Sequence, residues 1–235
     1  MNTNNIIAII PARSGSKSIK NKNLKKINGK SLLTLAIEIC KKIKKINKIF
    51  VSTDSRKIAN EAIKNNIEVP FLRSKINAKD YSSISKVLIE VIKKLKKKYK
   101  LNYNIILLIE PTSPLRTIQN IEGSIKKFLK NNYNALWTIS ETNKDYHPLK
   151  QLVIKKNNIG FYETKGSKVY ARQQLKNTFY RNGVCYLIKT AALLKYKNLM
   201  CPNTGYYLCN DINISIDTHK ELEYAKKHFK KKFKL

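Results

Sequence analysis

Apolar positions in this chain follow two recurring patterns. Continuous apolar runs at 5–12, 48–53 and 104–109 have the length of strands that are buried on both faces. Between these runs, apolar residues recur every three or four positions over 32–46 and 84–95, which is typical of amphipathic helices. Strands that alternate with helices predict a doubly wound α/β fold with a mostly parallel sheet.

The same patterns predict the remaining elements. Helices are expected at 55–66, 118–128 and 222–229, and strands at 67–71, 135–140, 183–188 and 213–216. From about Glu141 to Asn182 the alternation gives way to short polar and aromatic segments with hairpin-like spacing. We therefore expect a single domain over residues 1–235, with an excursion from its sheet at 141–182.

The net charge of +33 raises the question of a nucleic-acid partner, because clustered lysines and arginines release counterions when they neutralise phosphates. Only six of the 48 basic residues are arginine, however, and lysines crowd onto expected solvent faces of helices such as 93–98 and 226–234. Lysine is a point charge, whereas bidentate recognition needs the planar fork of arginine. We expect no nucleic-acid partner; a basic nucleic-acid-binding module is the alternative from another functional class.

The scarce arginines avoid the lysine-rich helices. Five of the six lie in polar stretches without a helical pattern, namely Arg13, Arg73, Arg116, Arg172 and Arg181. Arginines in such places are expected if anionic ligands hold them there.

The length of the apolar runs, the first residues and the cysteine spacing predict the location of the protein and the redox state of its thiols. The apolar runs are far shorter than the ~20 residues that a membrane span requires, so we expect no membrane association. Residues 1–5 lack the basic leader of a signal peptide, which predicts a cytoplasmic protein. The four cysteines form no Cys-x-x-Cys pair and are expected to be reduced thiols.

A loop rich in donors follows the first predicted strand, at the edge of an open α/β sheet where ligands bind. Gly15 permits a close approach of the backbone, and the hydroxyl and N–H groups of Ser14 and Ser16 can donate to phosphate oxygens. The loop region also carries three cations, Arg13, Lys17 and Lys22. These features predict a phosphate-binding loop.

Two more polar clusters follow predicted strands, at 110–116 and 217–219. Asp217 ends an apolar strand pattern, which suits a carboxylate that holds Mg²⁺ against phosphate oxygens. The alternative is that Asp217 is the N-terminal carboxylate of the last helix.

Seven motifs, in this order over roughly residues 6–225, resemble the acylneuraminate cytidylyltransferase family, also called CMP-sialic acid synthetases. They lie at 10–17, 22–24, 51–54, 110–116, 172–175, 182–183 and 216–218. The resemblance implies a Rossmann-like nucleotidyltransferase fold, a three-layer sandwich with a small dimerisation excursion at 141–182. It implies transfer of CMP from CTP to the anomeric hydroxyl of a nonulosonic acid, an acidic nine-carbon sugar, with release of pyrophosphate. Mg²⁺ dependence and a homodimer, whose excursion reaches the partner's active site, are also implied.

Together with the loop chemistry, the resemblance assigns roles residue by residue. Catalytic roles are expected for Arg13, Lys22 and Asp217, and Asp217 is the expected metal ligand. The expected nucleotide-binding residues are Arg13, Ser16, Lys17, Lys22, Asn23, Arg73 and Ser83. The expected sugar-binding residues are Glu110, Lys150, Arg172, Gln174 and Tyr186.

Three positions depart from the family's pattern. Ser215 stands where a first aspartate of the metal site is usual, Glu110 where a glutamine is usual, and Lys176 where a proline is usual. The charge of Glu110 should disfavour a substrate carboxylate unless a lysine or a substrate amine compensates for it. Two alternatives stay open: a CMP-Kdo-type synthetase that uses a shorter acidic sugar, and a cytidylyltransferase that binds nucleotide without turnover.

Overall fold

The computed structural model describes residues 5–74, 76–78 and 83–233. Their strands are β1 (Ile6–Pro11), β2 (Lys26–Ile27), β3 (Lys30–Ser31), β4 (Ile46–Ser52), β5 (Ile105–Leu108), β6 (Ala135–Glu141), β7 (Leu152–Lys155), β8 (Asn158–Phe161), β9 (Phe179–Lys189) and β10 (Thr204–Leu208). The α-helices are α1 (Leu32–Lys41), α2 (Arg56–Lys64), α3 (Ile84–Tyr99), α4 (Ile118–Lys130), α5 (Thr190–Tyr196) and α6 (His219–Phe233). Every helix predicted from the sequence is therefore present.

Six strands form the central sheet in the order β10, β6, β9, β5, β1, β4. β1 pairs in parallel with both β4 and β5, and β10 pairs in parallel with β6. β9 runs antiparallel to its two neighbours, β5 and β6. The sheet is mostly parallel, as predicted, with one reversed strand.

Helices cover both faces of this sheet. On β1, Ile6 and Ala8 pack in a cluster with residues of α1, α2 and α4, whereas Ile7 and Ile9 pack in a second cluster with residues of α3 and α5. Successive side chains of a strand point to opposite faces, so a strand covered on both faces is apolar throughout. The predicted three-layer α/β sandwich is confirmed.

A third apolar cluster joins the loops beside the carboxyl edge of the sheet. It contains Ile19 from the loop after β1, Leu115 from the loop after β5, and Ile216 from the segment before α6. All three side chains are fully buried, and they pack with Leu222 and Phe229 of α6. Helix α6 therefore fixes three loops that are far apart in the sequence relative to one another.

The strands predicted at 67–71 and 213–216 are wrong, because the structure places no strand in either of these described segments. In the first segment, Ile67 donates its N–H to the carbonyl of Ala62 at 3.0 Å, and Pro70 has no N–H to donate. In the second, Ile216 makes a single backbone bond to Thr112, at 2.8 Å. Both segments are apolar because they pack against helices. Hydrophobic periodicity cannot distinguish such a buried segment from a short strand.

Residues 142–178 leave the central sheet between β6 and β9, so the excursion is shorter than the predicted 141–182, because Glu141 and residues 179–182 still lie in strands of that sheet. They contain several 3₁₀ turns and the hairpin β7–β8, which forms a separate two-stranded antiparallel sheet. Ile154 and Ile159 face each other across this hairpin and are 76% and 69% exposed. A role of this excursion in dimerisation stays a prediction.

None of the helices in the described residues is long and apolar enough to cross a membrane. The four cysteines are free and buried, as expected for reduced thiols. Burial raises the pKa of both Cys40 and Cys185 to about 12. Neither thiol is therefore a nucleophile at neutral pH.

Candidate active site

A cleft of about 750 Å³ opens at the carboxyl ends of β1 and β5, where the sequence predicted a ligand site. It is lined by nine of the predicted site residues: Arg13, Ser16, Lys17, Lys22, Asn23, Arg73, Glu110, Tyr186 and Asp217. Its charged lining consists of five cations and two carboxylates, namely Arg13, Lys17, Lys22, Arg73, Arg181, Glu110 and Asp217. This excess of positive charge suits a polyanionic ligand.

The loop after β1 is braced from behind by Asp54. Ser14 donates its N–H to Asp54 Oδ1 at 2.8 Å and its hydroxyl to Oδ2 at 2.7 Å. The expectation that Ser14 donates to phosphate is therefore wrong, because both donors are occupied. A Cβ on Gly15 would meet no atom within 4 Å, so the space beside this glycine is open to a ligand.

Lys22 connects this loop to the segment before α6. Its ammonium donates to Asp217 Oδ1 at 2.8 Å and to the carbonyl of Ile216 at 2.9 Å. The Lys22 side chain is 13% exposed and that of Asp217 is 71% exposed. Next to Lys22, Asn23 is buried and donates to the carbonyl of Arg13 at 3.0 Å, which orients the loop.

The carboxylate of Asp217 does not cap the last helix. That function belongs to Thr218 and Glu221, which form a capping box: Thr218 Oγ1 accepts from the N–H of Glu221 at 3.3 Å, and Glu221 Oε2 accepts from the N–H of Thr218 at 2.6 Å. Glu221 also accepts the N–H of Asp217 at 2.7 Å. The side chain of Asp217 is thereby left to face Lys22 and the cleft.

Arg73 reaches the cleft from the segment between α2 and α3. It is buried and donates to Ser52, through Nε to the hydroxyl at 3.2 Å and through Nη2 to the carbonyl at 2.6 Å. Asn77 lines the cleft beside it and was not predicted, since no motif in the sequence marks it. Glu90 of α3 holds this segment by accepting from Asn77 and from the N–H of Ser74.

Glu110, Arg181 and Tyr186 also line the cleft. Burial raises the pKa of Glu110, and the nearby charges of Arg116 and Arg181 act in the opposite direction. Burial together with the charge of Glu110 raises the pKa of Tyr186 to about 12. Tyr186 is therefore a neutral hydrogen-bonding group at any physiological pH. Arg181 lines the cleft, and the expectation that an anionic ligand holds it stays a prediction.

Arg116 is a structural support rather than a ligand of the cleft. Its buried guanidinium donates through Nη2 to the carbonyls of Glu110 and Gly183, which both line the cleft. The expectation that an anion holds this arginine is therefore wrong, because backbone carbonyls occupy it. Gly183 adopts a φ of +70°, and a Cβ there would lie 2.6 Å from Ser113 Oγ.

Four predicted residues do not line this cleft. Ser83 is the N-cap of α3 and accepts from the N–H of Lys86 at 3.4 Å. Lys150 pairs with Asp145 at 2.9 Å, and Gln174 Oε1 accepts from the backbone of residues 170 and 171. Arg172 lines a separate hollow with 141–144. The three expected sugar-binding residues among them all belong to the excursion.

The model of the family described as "Cytidylyltransferase" matches residues 7–233. Pseudaminic acid cytidylyltransferase of Campylobacter jejuni is 27% identical over 94% of this chain and 94% of its own length. CMP-N,N'-diacetyllegionaminic acid synthase of Legionella pneumophila is 27% identical over 94% of this chain and 93% of its own length. N-acylneuraminate cytidylyltransferase of Streptococcus agalactiae is 25% identical over 94% of this chain, which spans 52% of that protein.

Solved structures show the same fold. CMP:2-keto-3-deoxy-manno-octonic acid synthetase in complex with CTP superposes with a TM-score of 0.74 at 14% identity, covering 97% of this chain and 99% of that chain. The 4-diphosphocytidyl-2C-methyl-D-erythritol synthase of Anaerococcus prevotii gives 0.62 at 15% identity, covering 97% and 100%. The family match over nearly the whole chain confirms the resemblance carried by the motifs, and the chain belongs to the cytidylyltransferase family.

Proposed function

We propose that this cytidylyltransferase transfers CMP from CTP to the anomeric hydroxyl of a nonulosonic acid and releases pyrophosphate. The observation that carries the proposal is the cleft, which is lined by three cations of the loop region after β1, Arg13, Lys17 and Lys22. Gly15 of the same loop has open space beside it. The names of the relatives, which refer to pseudaminic, legionaminic and N-acylneuraminic acids, support a nine-carbon acidic sugar as the acceptor.

In the proposed reaction, the anomeric oxygen attacks the α-phosphorus of CTP and its proton passes to solvent. The bond from the α-phosphorus to the bridging oxygen breaks, and pyrophosphate leaves with the electron pair. Phosphoryl chemistry of this kind depends mainly on positioning and on neutralisation of charge. Arg13, Lys17 and Lys22 are the cations that we assign to the triphosphate.

We assign Mg²⁺ to Asp217, whose exposed carboxylate faces the cleft. The part of the chain that the structure describes holds no group of three or more histidine, cysteine or acidic side chains suited to a metal. Mg²⁺ is commonly held by one or two carboxylates together with substrate phosphates and water, so a single aspartate is compatible with it. When bound, the ion would neutralise charge on the triphosphate. Ser215 lines the cleft next to Asp217 and offers a hydroxyl in place of a second carboxylate.

We further propose a homodimer that is formed through the excursion at 142–178. Its hairpin exposes apolar side chains that a single chain leaves in water, such as Ile154 and Ile159. Lys150, Arg172 and Gln174 do not line the cleft of their own chain, which supports a role for them in the cleft of a second copy.

Because the reaction consumes CTP, we propose the cytoplasm as the place of action.

The test is pyrophosphate release by the purified protein with CTP and Mg²⁺, against a panel of nonulosonic acids. The octulosonate Kdo serves as the competing substrate, and reactions without sugar serve as the blank. Release that needs both CTP and one nonulosonic acid would establish the reaction and name the acceptor. Release with Kdo alone would assign the enzyme to the shorter sugar. Bound CTP without any release would favour a protein that binds nucleotide without turnover.

A further inference from the structure

The cleft contains the Glu110 carboxylate, which accepts no hydrogen bond from the part of the chain that the structure describes. The Glu110 carboxylate lies at the end of β5, and its Oε2 is 3.7 Å from the position that a Cβ on Gly183 would occupy. Burial raises the pKa of Glu110, so the ionised form is costly here. When Glu110 is ionised, its carboxylate repels an acidic substrate that enters the cleft beside it.

Two cations near Glu110 are already committed to other groups. The Arg116 guanidinium is 2% exposed and donates to the carbonyls of Glu110 and Gly183. The Lys22 ammonium is bonded to Asp217. Neither cation can turn toward a substrate carboxylate beside Glu110 without losing these bonds.

Arg181 is placed differently. Its side chain is exposed, lines the cleft, and holds its guanidinium carbon 5.2 Å from the centre of the Trp137 ring. Trp137 is itself fixed, because its indole N–H donates to the carbonyl of Leu199 at 3.1 Å and its ring meets Tyr186 edge-on at 5.6 Å. A guanidinium stacked on an aromatic face is oriented while its N–H edge stays available to a carboxylate.

We propose that Arg181 determines the specificity of this cleft for acidic sugars: its guanidinium offsets the charge of Glu110 and pairs with the substrate carboxylate. Glu110 then accepts a hydrogen bond from a hydroxyl or N–H group of the same sugar. This inference rests on the proposed function, because it names the residue that admits the anionic acceptor.

The test compares Arg181→Gln, Glu110→Gln and the double variant in steady-state pyrophosphate release above neutral pH, with the KM values for sugar and for CTP measured separately. Loss of one charge-assisted pair should raise the KM for sugar about tenfold in Arg181→Gln, while the KM for CTP stays within about twofold. Adding Glu110→Gln should lower the KM for sugar again by at least about threefold, because the uncompensated carboxylate is gone. Arg56→Gln, which removes an exposed arginine of α2 outside the cleft, is the matched control.

An unchanged KM for sugar in Arg181→Gln would overturn the inference. So would an equal rise in both KM values, or the absence of any recovery in the double variant. Because Arg181 is exposed, its replacement should leave the far-UV circular dichroism and the melting temperature near those of the parent protein.

Equilibrium binding of the acidic sugar, measured by calorimetry in the absence of turnover, separates this inference from the proposed function. Binding that depends on Arg181, in a protein that releases no pyrophosphate, would sustain the inference and refute the reaction. If the parent enzyme is active and the Arg181→Gln variant binds the acidic sugar as tightly as the parent does, the reaction stands and the inference fails. If no acidic sugar binds, both fail.

Discussion

Lys22 links the loop after β1 to the segment before α6, since its ammonium contacts both Ile216 and Asp217. Replacing it by methionine keeps the aliphatic stem and removes the charge. If Lys22 binds the triphosphate, kcat/KM for CTP should fall by about 100-fold or more, as is typical when a preorganised transition-state contact is lost. Initial rates of pyrophosphate release at varied CTP concentrations would measure this change.

Lys20→Met is the control for Lys22, because Lys20 is an exposed lysine of the same loop and does not line the cleft. It should leave turnover near that of the parent enzyme. Near-normal use of CTP by the Lys22 variant would remove this lysine from the triphosphate site.

Two features of the structure require a glycine at position 183, namely its backbone conformation and the close approach of a neighbouring side chain. Its φ of +70° costs an ordinary residue about 1–2 kcal/mol, and an added Cβ would lie 2.6 Å from Ser113 Oγ. Gly183→Ala should therefore lower the free energy of unfolding by more than about 2 kcal/mol. Urea unfolding followed by circular dichroism would measure the loss.

Ser113→Ala separates these two costs. The Ser113 hydroxyl is buried and has no hydrogen-bond partner in the described part of the chain, so its removal alone should change stability by less than about 1 kcal/mol. In the double variant the collision is relieved and only the backbone term is left, so Gly183→Ala should cost about 1–2 kcal/mol in that background. Equal losses in both backgrounds would show that the collision contributes nothing.

At the scale of elements, Glu90 joins helix α3 to the segment that carries Arg73 and Asn77. Its carboxylate accepts from Ser74, Asn77 and Lys94. Burial acts to raise the pKa of Glu90, but these hydrogen bonds outweigh it and hold the value at about 2, below the ordinary 4.5. Glu90 therefore stabilises the fold above pH 4.5, and this contribution is lost as the pH falls toward 2.

Glu90→Gln should lower the free energy of unfolding by about 2 kcal/mol at pH 6, because charge-assisted hydrogen bonds become neutral ones. The difference between variant and parent should shrink at pH 3, where the parent begins to lose the contribution of its carboxylate. Urea unfolding at both pH values checks this. Glu122→Gln, an exposed acid of α4, is the control and should show little effect at either pH. An effect of Glu90→Gln that is the same at both pH values would contradict the role of its charge.

At the scale of the whole molecule, the excursion leaves apolar surface unpaired. Ile154 and Ile159 lie opposite each other on β7 and β8, which pair only with one another and not with the central sheet. Ile154→Ser with Ile159→Ser should therefore spare the core and weaken a dimer built on this hairpin. Sedimentation velocity should show a shift from dimer to monomer, accompanied by loss of sugar turnover while CTP binding is retained.

Ile63→Ser is the control for the hairpin, because Ile63 is a 54% exposed residue of α2, outside the excursion. It should leave the sedimentation coefficient unchanged. A parent protein that sediments as a monomer while turning over sugar would refute the dimer, and would require Arg172 to act without a second copy.

Much of the site could be predicted because strand burial, loop position and helix capping depend on residues that are close together in the sequence. A strand buried on both faces must be apolar, and loops at the carboxyl ends of parallel strands meet at one edge, so the polar clusters after the strands could be grouped from the sequence pattern. The expected role of Glu110 came from the resemblance to the family. The capping box of Thr218 and Glu221 could also have been read from the sequence, as a threonine followed three residues later by a glutamate.

The sequence by itself determined the α/β class, the order of most elements, and the polar loop after β1 with its cations, because hydrophobic period and turn chemistry act over a few residues. Only the tertiary structure decided that Ser14 is committed to Asp54, that Arg116 supports the backbone, and that Arg181 lies on Trp137 beside Glu110. These contacts join residues that are tens of positions apart in the chain. Which donors they occupy and which they leave available depends on how the sheet, α6 and the loops pack together, and no local pattern records that.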